Sequence, residues 1–139
     1  MVSRVLVAMD GSEMSTRALE YTLDVHSDAD ITVLYVAGEP SPMMGKALGL
    51  ALQENVREAA EELAEDVFAT ARERAAENGV EVDTVVRLGN PARQIVDLAE
   101  GFDAVVVGSH GGDLRSTLFM GNVARTVSSR APVPVTIVR

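Results

Sequence analysis

Ala104-Val105-Val106-Val107-Gly108-Ser109-His110-Gly111-Gly112 is the stretch that decides the fold. Four apolar residues in a row run directly into a glycine-rich loop. A strand with no polar alternation is covered on both faces, which is the condition of a strand in a parallel sheet. The same design recurs at the start of the chain, where Val5-Leu6-Val7-Ala8-Met9 is cut off by Asp10-Gly11-Ser12. Ser12 is suited to cap a helix and Glu13 to its first turn. Met14, Ala18, Tyr21 and Val25 then recur at helical spacing.

The rest of the chain fills in the alternation. Ile31 to Ala37 reads as a second strand, stopped by Gly38-Glu39-Pro40-Ser41-Pro42. Leu48, Leu52, Val56, Ala59, Leu63, Val67 and Ala71 mark the apolar stripe of a long helix. Glu54, Glu58, Glu61, Glu62 and Glu65 make its solvated face. Asn78-Gly79 is a helix stop, and Val80 to Leu88 reads as strand three. Asn90 caps the next helix with Pro91 in the first helical position, and Ile95, Val96 and Ala99 form its inner side. A helix from Gly121 to Ser129 and a strand from Pro132 to Val138 complete the order βαβαβαβαβ. That order predicts an open five-stranded parallel sheet with helices on both faces, a Rossmann-like α/β fold. The 139 residues suit one domain spanning 1–139, with no internal repeat and no linker.

Composition removes several functional classes. There are no cysteines, so disulfides, thiolate metal sites and cysteine nucleophiles are excluded. The two histidines, His26 and His110, are far apart, which argues against the usual zinc sites. Formal net charge is −9, and only one of the 12 basic residues, Lys46, is a lysine. Such a surface repels nucleic acid, whose affinity rests on lysine and arginine at phosphates. The acidic excess with almost no lysine points to a high-salt cytoplasm, an ordinary acidic bacterial protein being the alternative. The start of the chain reads as a strand and not as a secretion signal, and the apolar runs are short of a membrane span. The expectation is a cytoplasmic protein without nucleic-acid or membrane partners.

In sheets of this type ligands bind beyond the carboxyl ends of the strands, at a topological switch point. Two such ends carry candidate chemistry: Asp10-Gly11-Ser12, and the loop from Gly108 to the helix at Gly121-Asn122. Gly108, Gly111 and Gly121 are separated by two and nine residues. Glycine lets a backbone come close to a ligand, and N–H groups at a helix start favour phosphate. On this reading Gly108 and Gly111 admit the sugar and first phosphate. Gly121, Asn122 and Val123 offer N–H groups to the outer phosphates, Gly121 leaving room for them. Plain turn glycines are the alternative. A dinucleotide fingerprint and a Walker loop are both absent.

Three stretches together resemble the universal stress protein family: Val5 to Ser12, Val107-Gly108-Ser109-His110-Gly111, and Gly121-Asn122-Val123-Ala124 running on to Ala131-Pro132-Val133-Pro134-Val135. The resemblance implies an ATP-binding module that acts in stress responses through a protein partner. It implies Asp10 near the adenosine and a Mg²⁺ ion, Val36 packed on adenine, Ala8, Met9 and Val107 lining the same pocket, and Ser109 and His110 in the phosphate loop. It also implies a homodimer through the last strand. Two positions depart from the family pattern: Asn122 stands where a hydroxyl residue is usual, and Gly112 where arginine is often found. A slow ATPase and a nucleotide-independent interaction protein are the competing readings. Against the first, no general base converges on the site and Lys46 is remote in sequence.

Overall fold

The computed structural model describes residues 2–37, 46–110 and 121–139, and within 46–56 it describes the backbone. The chain runs β1 (Arg4–Ala8), α1 (Glu13–Val25), β2 (Asp30–Ala37), α2 (Lys46–Glu77), β3 (Val82–Leu88), α3 (Pro91–Ala99), β4 (Ala104–Gly108), α4 (Asn122–Arg130) and β5 (Val135–Val138). The five strands form one sheet in the order β3-β2-β1-β4-β5. Every pairing is parallel, with Val5 beside both Ile31 and Ala104, and Val105 beside Val135. This is the expected open, Rossmann-like α/β sheet. Strand order reverses between β1 and β4, so the switch point lies where the two glycine-bearing strand ends emerge.

Alternation along each strand divides the core in two. Val5, Val7, Ile31, Val33 and Val106 face α1 and α2. Leu6, Leu34, Val105 and Val107 face Ala92, Ile95 and Ala99 of α3 and Ala124 and Val127 of α4. Among the described residues no buried side-chain polar atom lacks a hydrogen-bond partner. None of the helices is long and apolar enough to cross a membrane among the residues described.

The punctuation behaves as read. Ser12 accepts the Ser15 N–H at 3.2 Å, and Asn90 accepts the Arg93 N–H at 3.1 Å with Pro91 opening α3. Gly79 has φ +69°. Its N–H donates to Ala76 and that of Val80 to Ala75, the paired bonds of a left-handed helix stop. Because Val80 is used in this way, β3 starts at Val82 and not at Val80. Pro132 and Pro134 have no N–H to give a sheet, and β5 begins only at Val135.

The helix phases differ from expectation. α1 buries Ser15, Ala18, Leu19, Thr22 and Leu23, whereas Tyr21 and Val25 are 36% and 51% exposed. Two hydroxyl residues can occupy the inner face because each satisfies itself on the helix. Ser15 Oγ donates to the Ser12 carbonyl and Thr22 Oγ1 to that of Ala18. α2 turns Ala60, Ala64, Val67, Phe68, Ala71 and Ala75 inward, and Ala59 and Leu63 outward. Small residues on both sides of this helix leave its phase to the packing. The side chains of Leu48, Leu52 and Val56 lie outside the described residues.

Candidate functional site

A cavity of about 210 Å³ opens at the switch point. Its floor comes from the ends of β1 and β2: Ala8, Met9, Leu34 and Val36. β4 supplies Val107 and Gly108, with His110 just beyond, and the start of α4 supplies Gly121, Asn122, Val123 and Ala124. Pro91 and Ile95 of α3 close the side. Among the described residues Asp10 is the one carboxylate on the lining, with Ser15 hydrogen-bonded to its N–H. The wall is therefore largely apolar, with Asp10, Ser15, His110 and Asn122 as its polar residues. Ligand sites commonly combine an apolar wall with a few convergent polar groups.

The turn after β1 is held locally. Asp10 Oδ1 accepts the Ser12 N–H at 2.9 Å, and the Asp10 N–H donates to Ser15 Oγ at 3.3 Å. Gly11 follows with φ +85°, a backbone region that side chains rarely adopt. One oxygen of Asp10 is thus part of the turn, while its carboxylate borders the cavity. Mg²⁺ is usually held by one or two carboxylates with ligand phosphates and water, and a single Asp10 fits that mode. Among the described residues there is no group of three His, Asp or Glu side chains able to hold a metal by itself.

Two glycines owe their identity to the protein's own packing. A Cβ on Gly108 would lie 2.8 Å from Met14 Cγ and 3.1 Å from the Met14 carbonyl carbon and oxygen. Gly108 therefore lets α1 settle against the end of β4, a packing reason for its small size in addition to its place on the cavity lining. A Cβ on Gly121 would lie 3.3 Å from the Ser109 oxygen and from His110 Cα. On the side where a Cβ would point, Gly121 faces Ser109 and His110. The Gly121 N–H donates to the Ser109 carbonyl, so this donor is already engaged. The next N–H groups, of Asn122, Val123 and Ala124, open α4 with no side-chain cap. A first helical turn leaves such donors unpaired within the helix.

Of the residues expected at the site, Ala8, Met9, Asp10, Val36, Val107, Gly108, His110, Gly121, Asn122 and Val123 are brought together on one lining. Ser109 is buried behind it, its Oγ hydrogen-bonded to His110 Nδ1 at 3.1 Å. Gly111 lies outside the described residues. Ser15, Leu34, Pro91, Ile95 and Ala124 line the cavity without having been expected there. A helix start after β3 is the signal that could have pointed to Pro91.

An open parallel sheet whose strand order reverses at a cavity defines a doubly wound α/β domain, the class in which that reversal point is where ligands are bound. The family model described as the universal stress protein family matches residues 1–139. Universal stress protein YxiE of Bacillus subtilis (strain 168) is 30% identical over 148 residues, taking in 100% of both chains. The chain belongs to the universal stress protein family. Universal stress protein UspA from Lactobacillus plantarum has the same fold, with a TM-score of 0.81 at 22% identity over 99% of this chain and 98% of that one. A universal stress protein solved in complex with cAMP gives a TM-score of 0.68 at 23% identity over 99% and 97% of the two chains. The protein from Archaeoglobus fulgidus in complex with dAMP gives 0.64 at 21% identity over 100% and 98%.

Proposed function

We propose that the cavity binds an adenine nucleotide, ATP with Mg²⁺, and that the protein is a nucleotide-dependent regulatory module of the stress response. The observation that carries this reading is the convergence of an apolar slot from β1, β2 and α3 with the uncapped start of α4 at one switch point. The base packs against Val36, Ala8 and Ile95. The phosphates meet the N–H groups that open α4, and Asp10 reaches the ribose or the metal. That two fold relatives were solved with cAMP and dAMP supports an adenine ligand. Ligand binding favours one arrangement of the surface around the site, and a protein partner reads that arrangement. The setting is the cytoplasm, and the working unit is a homodimer joined through β5.

The test is a search for nucleotide carried by the purified protein, by ultraviolet spectrum and by mass spectrometry after denaturation, followed by titration with ATP and Mg²⁺. Adenine nucleotide in the denatured supernatant, or saturable uptake of ATP, is the expected result. A full-stability protein that carries none and takes up none is an interaction module without nucleotide.

A further inference from the structure

Beside the cavity runs a second depression, a groove of about 690 Å³ between α3 and α4. Pro91, Asn122 and Val123 line both spaces, so the two meet across the first turns of these helices. Past that junction the groove carries Arg93, Asp97, Thr126 and Arg130. α4 spans nine residues, so Arg130 lies roughly 12 Å along the helix from Asn122.

Arg17, Arg72 and Arg74 pair with carboxylates, and Arg4 lies over Phe102. Among the described residues Arg93 and Arg130, like Arg57, Arg87, Arg125 and Arg139, form no ion pair; these two share the groove that meets the cavity, with Asp97 also on its lining. On a surface of net charge −9, two guanidiniums with no carboxylate partner among the described residues, sharing one groove, make a local site for an anion. Asp97 on the same lining disfavours a purely anionic occupant and accepts hydroxyl donors instead. Val96 and Val123 add apolar surface. Phosphate followed by a hydroxylated, partly apolar unit is the chemistry of a nucleotide joined to a second nucleoside.

We propose that cavity and groove form one continuous site, and that it takes a dinucleoside polyphosphate, one nucleoside in the cavity and the bridging phosphates and second nucleoside along Arg93, Asp97 and Arg130. This rests on the nucleotide reading of the cavity.

The test titrates wild type and the Arg93→Ala/Arg130→Ala double variant with AMP and with diadenosine tetraphosphate, at about 0.1 M ionic strength where exposed charges are only partly screened. AMP occupies the cavity alone and serves as the internal control. In wild type the dinucleotide binds about tenfold tighter than AMP. In the double variant that preference shrinks to about twofold, with AMP affinity and melting temperature unchanged, an effect of the size expected for exposed charge pairs. Equal affinity of the two ligands in wild type overturns the extended site and leaves the cavity reading intact. A preference that survives in the double variant also overturns it. Wild type that takes up neither ligand overturns both readings.

Discussion

Gly108 lies so close to Met14 that a single added carbon would stand 2.8 Å from Met14 Cγ. The contact joins the carboxyl end of β4 to the first turn of α1. Gly108→Ala is therefore expected to destabilise the ligand-free protein by about 1–3 kcal/mol, the usual cost of overpacking. Met14→Ala in that background recovers only part of the loss, because the Met14 carbonyl carbon and oxygen remain 3.1 Å away. Urea unfolding of the three proteins without nucleotide checks this. A Gly108→Ala protein as stable as wild type would contradict the packing role.

Nucleotide binding should appear as added stability. With free ATP at 100 times its dissociation constant the gain is about 2.7 kcal/mol. Gly121→Ala pushes on Ser109 and His110, so it is expected to cost about 1 kcal/mol of stability and to weaken ATP. Asp10→Ala weakens binding less, since the α4 N–H groups remain. Asn122→Ser restores the residue usual in the family and should tighten ATP more than AMP. Calorimetric titration with both nucleotides decides each point.

Asp103 clips the amino ends of β1 and β4 together. Its Oδ2 accepts the N–H of Arg4 at 2.9 Å and of Ser3 at 3.0 Å. These two bonds, that from Arg4 foremost, hold its carboxyl below the ordinary value. A depressed folded pKa contributes stability that is present above the unfolded value, about 3.9, and is lost as pH falls through the folded one. Asp103→Asn should thus be less stable than wild type at pH 7, and the difference should vanish in strong acid. Urea midpoints from neutral pH downward give the comparison, and a constant gap at all pH values would rule the clip out.

β5 is an edge strand. The Pro134 carbonyl accepts from Val105, and the Val138 carbonyl from Ser109. Alternation then turns the N–H groups of Val135 and Ile137 outward, open to a second chain. The wild type is expected to sediment as a dimer at micromolar concentration. Ile137→Pro removes only an outward N–H, which an edge tolerates, and should give folded monomer. Replacing Val135 or Ile137 with lysine is less informative, because both side chains pack on the α3–α4 core.

Salt should stabilise the fold. Net charge is −9, and the ion pairs found among the described residues join exposed side chains. Screening length falls from ~30 Å at 0.01 M to ~3 Å at 1 M. The melting temperature should rise clearly across that range, and a flat profile would remove the argument for a high-salt origin.

Element order was legible in the sequence because each boundary has a local cause. Ser12, Gly79 and Asn90 act within a turn of their own position, and unbroken runs such as Val105 to Val107 announce burial on both faces. Helix phase was less legible. Ser15 and Thr22 are buried through bonds to their own helix, which an apolar pattern passes over, and Ala59 and Ala60 look alike until α2 is packed. The cavity's β1, β4 and α4 residues were readable from the glycine spacing and the family resemblance. Its α3 wall was not, because Ile95 meets Val36 only through the fold. The packing of Gly108 against Met14 was not legible for a related reason: a glycine under a crossing helix and a glycine beside a ligand are identical in sequence.

The hydrogen bond from Gly121 to Ser109 has a practical meaning for anyone wishing to alter this protein. It fixes residues 109 and 121 beside each other, so β4 and α4 stay joined at this point whatever number of residues connects them. Lengthening a connection between two fixed ends is cheap in entropy, about 0.6 kcal/mol for each doubling. An insertion between 110 and 121 is therefore expected to leave both anchors, and the melting temperature, nearly unchanged.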